Sequence, residues 1–466
     1  MVDMRTKRED LLNGNILKTI LFLSAPMMAQ GILNTAYNLA DMVWLGRLSA
    51  DAVTAAGMAG MFTWFAFGVV VINRTGTQVR VGQSLGAGDR SRALSYASAG
   101  FQLILLEGLF LSIVGTLGAD AYINAFGLES KTMIKDSIDY MVVCSIFLLV
   151  SFFNNMFSGI HNARGDSRTP FVINSAGLFT NIVLDPILIF KFGMGVKGAA
   201  IATIVAQTVS LVMNFYIASK DEFIISIPIL KKQDSYYYKD ITKIGLPTGL
   251  ENIAFSVITM VMSRFITSFG DAAISAQKIG TQIESITYVA AEGFSSAGNA
   301  FIAQNYGAKK NDRIANGKKT IEGIGIAWGT FCTLVLVLFP RQIISIFIRE
   351  KDVIEIGASY LRILGFSQLF NVNEYTSAGV FNGLGITLPP SLVGVSLTAL
   401  RIPLAYILQQ SMGLDGIWWT CSISASLKGI VLTLWLNYTL KHKILVESWR
   451  LSYFQSFLNT YHWMIR

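Results

Sequence analysis

Two aspartates stand in long apolar stretches of this sequence. Asp41 follows the apolar run that begins at Ile16, in NLADMVWLGRLS, and Asp185 lies in NIVLDPILIF. A lone ionised carboxylate in a bilayer is costly, so such residues are usually paired or functional. Two carboxylates held close together would bind a small cation through hard oxygen ligands, or would retain a proton between them. Their chemistry therefore depends on the elements that place them.

The composition indicates a membrane protein. Of 466 residues, 52% are hydrophobic and only 14% are charged, with a mean hydropathy of +0.51, which is too apolar for an ordinary soluble core. Apolar stretches of about 20 residues, long enough to cross a bilayer as helices, recur along the chain. We predict an all-α integral membrane protein with twelve transmembrane helices, at 16–40, 52–74, 93–118, 133–158, 169–191, 195–219, 240–268, 272–302, 317–339, 354–382, 388–410 and 415–440.

The cysteines and histidines are few and widely spaced. They are Cys144, Cys332, Cys421, His161, His442 and His462. Their spacing favours neither a disulfide framework nor a resident metal site. The glycine-rich GQSLGAG segment lacks the lysine and the serine or threonine of a phosphate loop, so we interpret it as a tight turn. The sequence thus predicts no cofactor and no bound metal other than a transported ion.

The basic residues predict the orientation. In the predicted loops and tails, and at the span ends beside them, we count 22 Lys and Arg on the side of both termini and 8 on the opposite side. Because cytoplasmic loops carry the excess of basic residues, both termini should be cytoplasmic. The net charge of +8 is then mostly a topology signal, and we expect no nucleic-acid partner. The expected location is the plasma membrane, with lipid around a monomer.

The chain repeats itself after 220 or 221 residues. GQSLGAGDR (82–90) overlays AQNYGAKKN (303–311), GIHNARGDSRTP (159–170) overlays GVFNGLGITLPP (379–390), and three shorter matches keep the same order. A shift of six spans gives parallel repeats, a plan that transporters commonly use. We predict two pseudo-symmetric six-helix lobes, 1–219 and 240–440, a cytoplasmic linker at 220–239 and a cytoplasmic tail at 441–466. The linker would lie on the membrane surface or act as a plain tether, and the aromatic, basic tail would form a surface helix or be poorly ordered.

The sequence resembles the multidrug and toxic compound extrusion (MATE) family over roughly residues 10–440. The resemblance rests on the twelve-span duplicated layout, on PMMAQGILNTAYNLADMVWLG and QSLGAGDRSRA, and on the passage from GIHNARGDSRTP to NIVLDPILIF. It implies an antiporter that exports lipophilic, often cationic, compounds. Within the family the sequence is similar to the DinF-like branch. That similarity implies a cation-binding set of Asp41, Asn181, Asp185 and Thr203.

The residues themselves are consistent with this set. At about 1.5 Å per helical residue, Asp41, Asp185 and Thr203 all fall in the outer half of the membrane. Asn181 shares a helix face with Asp185, and Tyr37 and Asn38 precede Asp41 by one turn.

Two prolines are expected to support this arrangement. Pro26 and Pro186 should free the carbonyls of Phe22 and Ile182, which supplies acceptors and hinges. In the alternative reading of the aspartates, Asp41 caps a helix at the interface and Asp185 pairs with a Lys or Arg.

The second half lacks this set, because the repeat shift brings Asp41 near Met262 and Asp185 near Pro403. Its membrane-embedded acids are Glu251 and Glu374, in helices where other family members also carry acids. We predict either a second cation or cationic-substrate site at these residues, or pairing with one of three basic residues, Arg362, Arg264 and Lys278.

We therefore predict a secondary antiporter that exchanges Na⁺ or H⁺ for an organic solute by alternating access. The chief alternative is a lipid-linked oligosaccharide flippase, whose cavity should be lined with basic residues. Only five basic residues lie deep in the predicted spans, namely Arg264, Lys278, Arg362, Arg401 and Lys428. An enzyme is not indicated, since no catalytic constellation occurs in the spans, and the two large repeats disfavour a passive channel.

Overall fold

The computed structural model describes residues 11–127 and 130–445, apart from the side chains of residues 38, 39, 50, 271 and 443–445. Residues 1–10 and most of the aromatic tail lie outside this part. The two alternatives predicted for the tail, a surface helix or poor order, therefore fall outside the described residues. The main helices are α1 (Ile16–Leu48), α2 (Ala50–Gly86), α3 (Arg90–Leu117), α4 (Ala119–Asn124), α5 (Lys131–Ile146), α6 (Leu148–Ala163), α7 (Arg168–Pro186), α8 (Gly195–Ala218), α9 (Ser235–Thr267), α10 (Asp271–Gly307), α11 (Asn311–Leu338), α12 (Pro340–Phe347), α13 (Lys351–Gly365), α14 (Gln368–Gly383), α15 (Leu388–Ala399), α16 (Arg401–Met412) and α17 (Leu414–Thr439).

Every predicted span coincides with a helix or with two consecutive helices. Within the described residues, nine helical segments are long and apolar enough to cross a membrane, and the pair α5 and α6, bent by 48°, makes a tenth. The predicted spans 272–302 and 354–382 are helical as well. They do not meet the same test, because α13 and α14 are short helices of 15 and 16 residues and α10 carries many polar residues.

Local sequence explains where several helices begin and end. The tight turn predicted for the GQSLGAG segment is confined to its last two residues, Ala87 and Gly88, because residues 82–86 are the end of α2. Gly88 has a φ of +79°, a backbone conformation that favours glycine. The carboxylate of Asp89 then caps α3 by accepting from the N–H of Arg92 at 2.9 Å. Pro186 ends α7, and a π-helical turn, Ile187–Lys191, follows. Because proline has no N–H to donate, the regular hydrogen-bond ladder cannot continue through it.

The chain folds into two compact units, whose boundaries differ from those predicted from the repeat. The first comprises Leu21–Ala254 together with residues outside the described part, and of the second the structure describes 11–20 and 255–445. The segment 220–239 is thus part of the first unit. Phe223, Ile224 and Ile227 are buried in the same hydrophobic core as Tyr96 and other residues of α2, α3 and α6. The segment is therefore folded against this unit and is not a plain tether.

The first half of α9 also belongs to the first unit, because glycines let its backbone approach α2. A Cβ added to Gly245 would stand 1.6 Å from the carbonyl oxygen of Ile72, and one added to Gly76 would stand 2.1 Å from that of Ile241. Such close crossings between membrane helices depend on small residues. This contact explains why the unit extends to Ala254, past the predicted boundary at 240.

The 220–239 segment is also held by ion pairs. Arg164 donates to Asp221 at 2.7 Å, and at the start of α9 Arg80 donates to Asp240 at 2.7 Å. Burial by itself raises the pKa of Asp221. However, the hydrogen bond and charge of Arg164, with the backbone N–H groups of Ile224 and Phe223, outweigh burial and leave the pKa below its ordinary value.

We expect Arg164→Met to expose the 220–239 segment to chymotrypsin in a limited-digestion assay, because Asp221 then loses its charged partner. Asp221 stabilises the wild-type fold above its unfolded pKa, and this contribution is lost as the pH falls through the lower folded pKa. Acid should therefore increase cleavage of the wild type and have less effect on the variant. Lys197→Met, at an exposed position on α8, serves as the control. Equal cleavage of wild type and Arg164→Met at neutral pH would contradict this role.

Candidate cation site

Three helices of the first unit bring the predicted cation ligands together. Tyr37 and Asp41 lie on α1, Asn181 and Asp185 on α7, and Thr203 on α8. The spacing of four residues within each of the two pairs stacks their side chains on one helix face. Asn181 and Asp185 are completely buried, and Asp41 is partly buried.

These side chains contact one another, both within α7 and between neighbouring helices. The carboxyl groups of Asp41 and Asp185 lie within hydrogen-bonding reach of each other. Asn181 donates its side-chain N–H to Asp185 Oδ1 at 3.2 Å, and the hydroxyl of Tyr37 donates to Thr203 Oγ1 at 2.9 Å. From the sequence alone we could predict that these residues lie at a similar depth, but not that they are in contact. The structure adds that the three helices meet there.

The site has more acceptors than donors. Asp41 Oδ1, Asn181 Oδ1 and Asp185 Oδ2 are buried oxygens for which the described residues supply no hydrogen-bond donor. In the same part of the chain, no Lys or Arg nitrogen lies within 4.0 Å of either aspartate. The alternative in which Asp185 pairs with a basic residue therefore finds no support here. Buried, unsatisfied carboxylate and amide oxygens are what a small hard cation requires, and a proton would satisfy the two carboxyls equally.

Two further side chains on α5 face the site and were not predicted. Tyr140 and Cys144 interact electrostatically with Asp41, and their own side chains are hydrogen-bonded to each other. Their spacing of four residues in the fourth predicted span was a weak sign of a shared face. These residues lie just before the 48° bend between α5 and α6, so a change in that bend would move one wall of the site.

The supporting residues of the first helix are only partly described. Pro26 lies inside α1, and Pro186 lies directly after Asp185 at the end of α7. The backbone of Asn38 is helical, but its side chain lies outside the described part, so its predicted supporting role stays a prediction.

The two acids predicted for the second lobe are placed differently from each other. Glu251 is partly buried and belongs to the first unit, because it lies on the half of α9 that packs there. Glu374 is buried in the second unit and accepts a hydrogen bond from Lys428 at 2.9 Å. This partner on α17 is none of the three basic residues considered from the sequence.

The many apolar spans and a buried pair of carboxyls define a class, that of multi-span helical membrane transport proteins. The chain belongs to the MatE family, whose family model matches residues 26–187 and 247–407. The matched segments begin 221 residues apart and end 220 apart, which confirms the spacing of the repeat. As a member of this family, the chain is a membrane transporter and not an enzyme.

Curated relatives and solved structures agree with this assignment. The chain is 28% identical to a probable multidrug resistance protein NorM of Thermotoga maritima, with 86% of this chain and 88% of that protein covered. It is 23% identical to the multidrug export protein MepA of Staphylococcus aureus, with 93% and 96% covered. A crystal structure of MATE in the straight conformation has a TM-score of 0.87 at 24% identity and covers 93% of this chain and 98% of that one. This last likeness shows the fold.

Proposed function

We propose that this chain is a secondary antiporter that exports lipophilic or cationic organic compounds in exchange for Na⁺ or H⁺. The observation that carries the proposal is the contact between Asp41 and Asp185, with buried oxygens that lack donors on both residues and on Asn181. Two buried carboxyl groups that lie within hydrogen-bonding reach of each other repel each other when both are ionised. An ion or a proton removes that repulsion, and its departure restores it.

Coupling follows from differential binding. An ion bound at Asp41 and Asp185 favours the arrangement of α1, α5, α7 and α8 that closes around it, and an organic solute favours another arrangement. Exchange is obligatory only if the two ligands prefer different states. The proline in α1, the bend at Phe147 and the π-turn after Asp185 are irregular points of the backbone at which such a change can occur.

The same proposal includes the finer architecture: twelve spans in two six-helix lobes, both termini in the cytoplasm, and a monomer in the plasma membrane. The relatives named as multidrug resistance and multidrug export proteins support organic compounds as substrates. The assignment of the ion site to the DinF-like type is part of the same proposal. Glu251 and Glu374 remain predicted second sites, although the pairing of Glu374 with Lys428 favours a structural role for that acid.

A lipid-linked oligosaccharide flippase is less well supported. A phosphate-binding cavity needs uncompensated basic residues, whereas Lys428 is paired with Glu374 and Arg401 donates to Ser424 at 3.1 Å.

The direct test uses purified protein in liposomes loaded with a fluorescent organic cation such as ethidium. We expect a Na⁺ or proton gradient, directed against the movement of the solute, to accelerate transport several-fold over vesicles without a gradient. Collapsing each gradient separately identifies the coupling ion. A transport rate that is the same with and without each gradient would overturn the proposal, and so would movement of a lipid-linked oligosaccharide analogue instead of the cation.

A further inference from the structure

The second unit contains a buried carboxylate that the proposed function does not use. Glu284 lies on α10 and is 3% exposed. Its Oε1 accepts hydrogen bonds from the hydroxyl of Tyr288 at 2.7 Å and from the side-chain N–H of Gln368 at 2.7 Å. Its Oε2 accepts one from the hydroxyl of Tyr360 at 3.1 Å. Three helices, α10, α13 and α14, thus converge on one carboxyl group.

The hydrogen-bond donors around Glu284 are neutral, so they do not neutralise the negative charge of its ionised carboxylate. Within the described residues no Lys or Arg nitrogen lies within 4.0 Å of this carboxylate. Arg401 of α16 acts on Glu284 through space only, and its Nε donates to Ser424. An ionised carboxylate without a paired charge is costly in such a place.

The other titratable groups near Glu284 come from each helix packed around it. Tyr288 lies on α10 itself, and Tyr360 on α13. The remaining groups are Tyr375 of α14, which faces Tyr288, Cys421 of α17, which faces Glu284, and Cys332 of α11, which contacts Thr287. The nearby acid Glu374 is already neutralised by Lys428. None of these groups supplies a positive charge in contact with Glu284.

The cluster shares a tyrosine position and a nearby helix break with the first-unit site, although its acid comes from a different helix of the repeat. Gln368 is the first residue of α14, directly after the break that separates it from α13, as Phe147 separates α5 from α6. Tyr360 lies 220 residues after Tyr140, the same spacing that overlays 159–170 on 379–390. Tyr140 faces Asp41 in the first unit. Each unit therefore carries an acid against an equivalent tyrosine, just before the break in a broken helix.

We propose that Glu284 is a second proton-binding site, located in the second unit and exchanging its proton during transport. The role in transport rests on the antiport proposed above, while the binding of a proton does not. A proton suits this site better than Na⁺ does, because the carboxylate is surrounded by N–H and O–H donors and a metal cation needs oxygen acceptors.

The surrounding groups can accommodate both states. When Glu284 is ionised, it accepts three hydrogen bonds. When it is protonated, its O–H can donate to the oxygen of Tyr360, whose own hydroxyl can turn toward Thr281, a side chain already in contact with it. The hydroxyl of Tyr288 accepts from Asn371 at 3.2 Å, so that second link reaches α14. Protonation at Oε2 therefore reverses the hydrogen bond to Tyr360 of α13, while Oε1 keeps its hydrogen bonds from Tyr288 and from Gln368 of α14.

Infrared spectroscopy of the purified full-length protein tests proton binding without transport. We expect the carbonyl-stretch band of one protonated carboxyl to titrate between about pH 4 and about pH 10, to persist in the double variant Asp41→Asn/Asp185→Asn, and to disappear in Glu284→Gln. Glu292→Gln, an exposed glutamate two turns along the same helix, should leave the band unchanged. A spectrum in which Glu284→Gln removes no titrating band would overturn the proposal, provided that the variant elutes as a folded monodisperse protein.

Transport in liposomes then separates the two proposals. In Glu284→Gln we expect gradient-driven efflux with one proton fewer per substrate, measured from the gradient that just balances the substrate gradient. An unchanged proton count would overturn the role of Glu284 in transport and leave the antiport intact. Loss of gradient dependence in the wild type would instead overturn the antiport. Tyr360→Phe, which removes one donor, should shift the titration of the infrared band and keep its amplitude. No shift in that variant would contradict the contact on which the site depends.

Discussion

The variants Asp41→Asn and Asp185→Asn should each lose gradient-driven efflux while remaining folded. Asparagine preserves the shape of the side chain but removes the charge that holds the ion. Loss of one interaction with a charged group in a buried site costs about 1.5–3 kcal/mol, which corresponds to a loss of about 10- to 150-fold in ion affinity. The measurement is the initial rate of ethidium efflux from liposomes at a fixed Na⁺ or pH gradient.

The matched control is Asp51→Asn, an exposed acid in the first turn of α2, which should transport as the wild type does. The double variant should be no worse than the stronger single variant, because the two carboxyls act on one ion. Wild-type rates in both single variants would show that the ion binds elsewhere, and the contact between the two carboxyls would then need a structural explanation.

The set of Asp41, Asn181, Asp185 and Thr203 was taken from the resemblance to the MATE family, and regular helical geometry agreed with it. The four-residue spacing puts Asn181 and Asp185 on one helix face, and the rise along each span puts the two aspartates at a similar depth. The contributions of Tyr140 and Cys144 could not be found in this way. They depend on how α5 rotates against α1, which is set by packing between distant segments and by the bend at Phe147.

The partners of the second-unit acids were predicted poorly for the same reason. Sequence indicates that Glu374 must be neutralised, but the choice of Lys428 depends on the packing of α14 against α17. Glu284 was overlooked, although it lies in the predicted span 272–302, because its neutral partners carry no charge pattern. The packing of the linker against the first unit could not be predicted, because isoleucines fit a membrane surface as well as they fit a protein core.

The largest expected effect on folding comes from Lys428→Met. Removal of one member of a buried ion pair leaves the other charge unpaired, which typically costs about 3–5 kcal/mol. The exposed side-chain fractions are 8% for Lys428 and 12% for Glu374, so water cannot replace the lost partner. We expect a marked fall in the thermal midpoint of the detergent-purified variant, measured by fluorescence-detected size-exclusion after heating.

The double variant Lys428→Met/Glu374→Gln distinguishes the two interpretations of Glu374. If this acid serves only to neutralise Lys428, the double variant should recover most of the lost stability and transport at the wild-type rate. If it also binds a cation or substrate, stability should return without transport. Lys278→Met, at an exposed lysine of the same unit, controls for the loss of a positive charge. A single variant as stable as the wild type at neutral pH would contradict the pair itself, because no described donor reaches the second oxygen of Glu374.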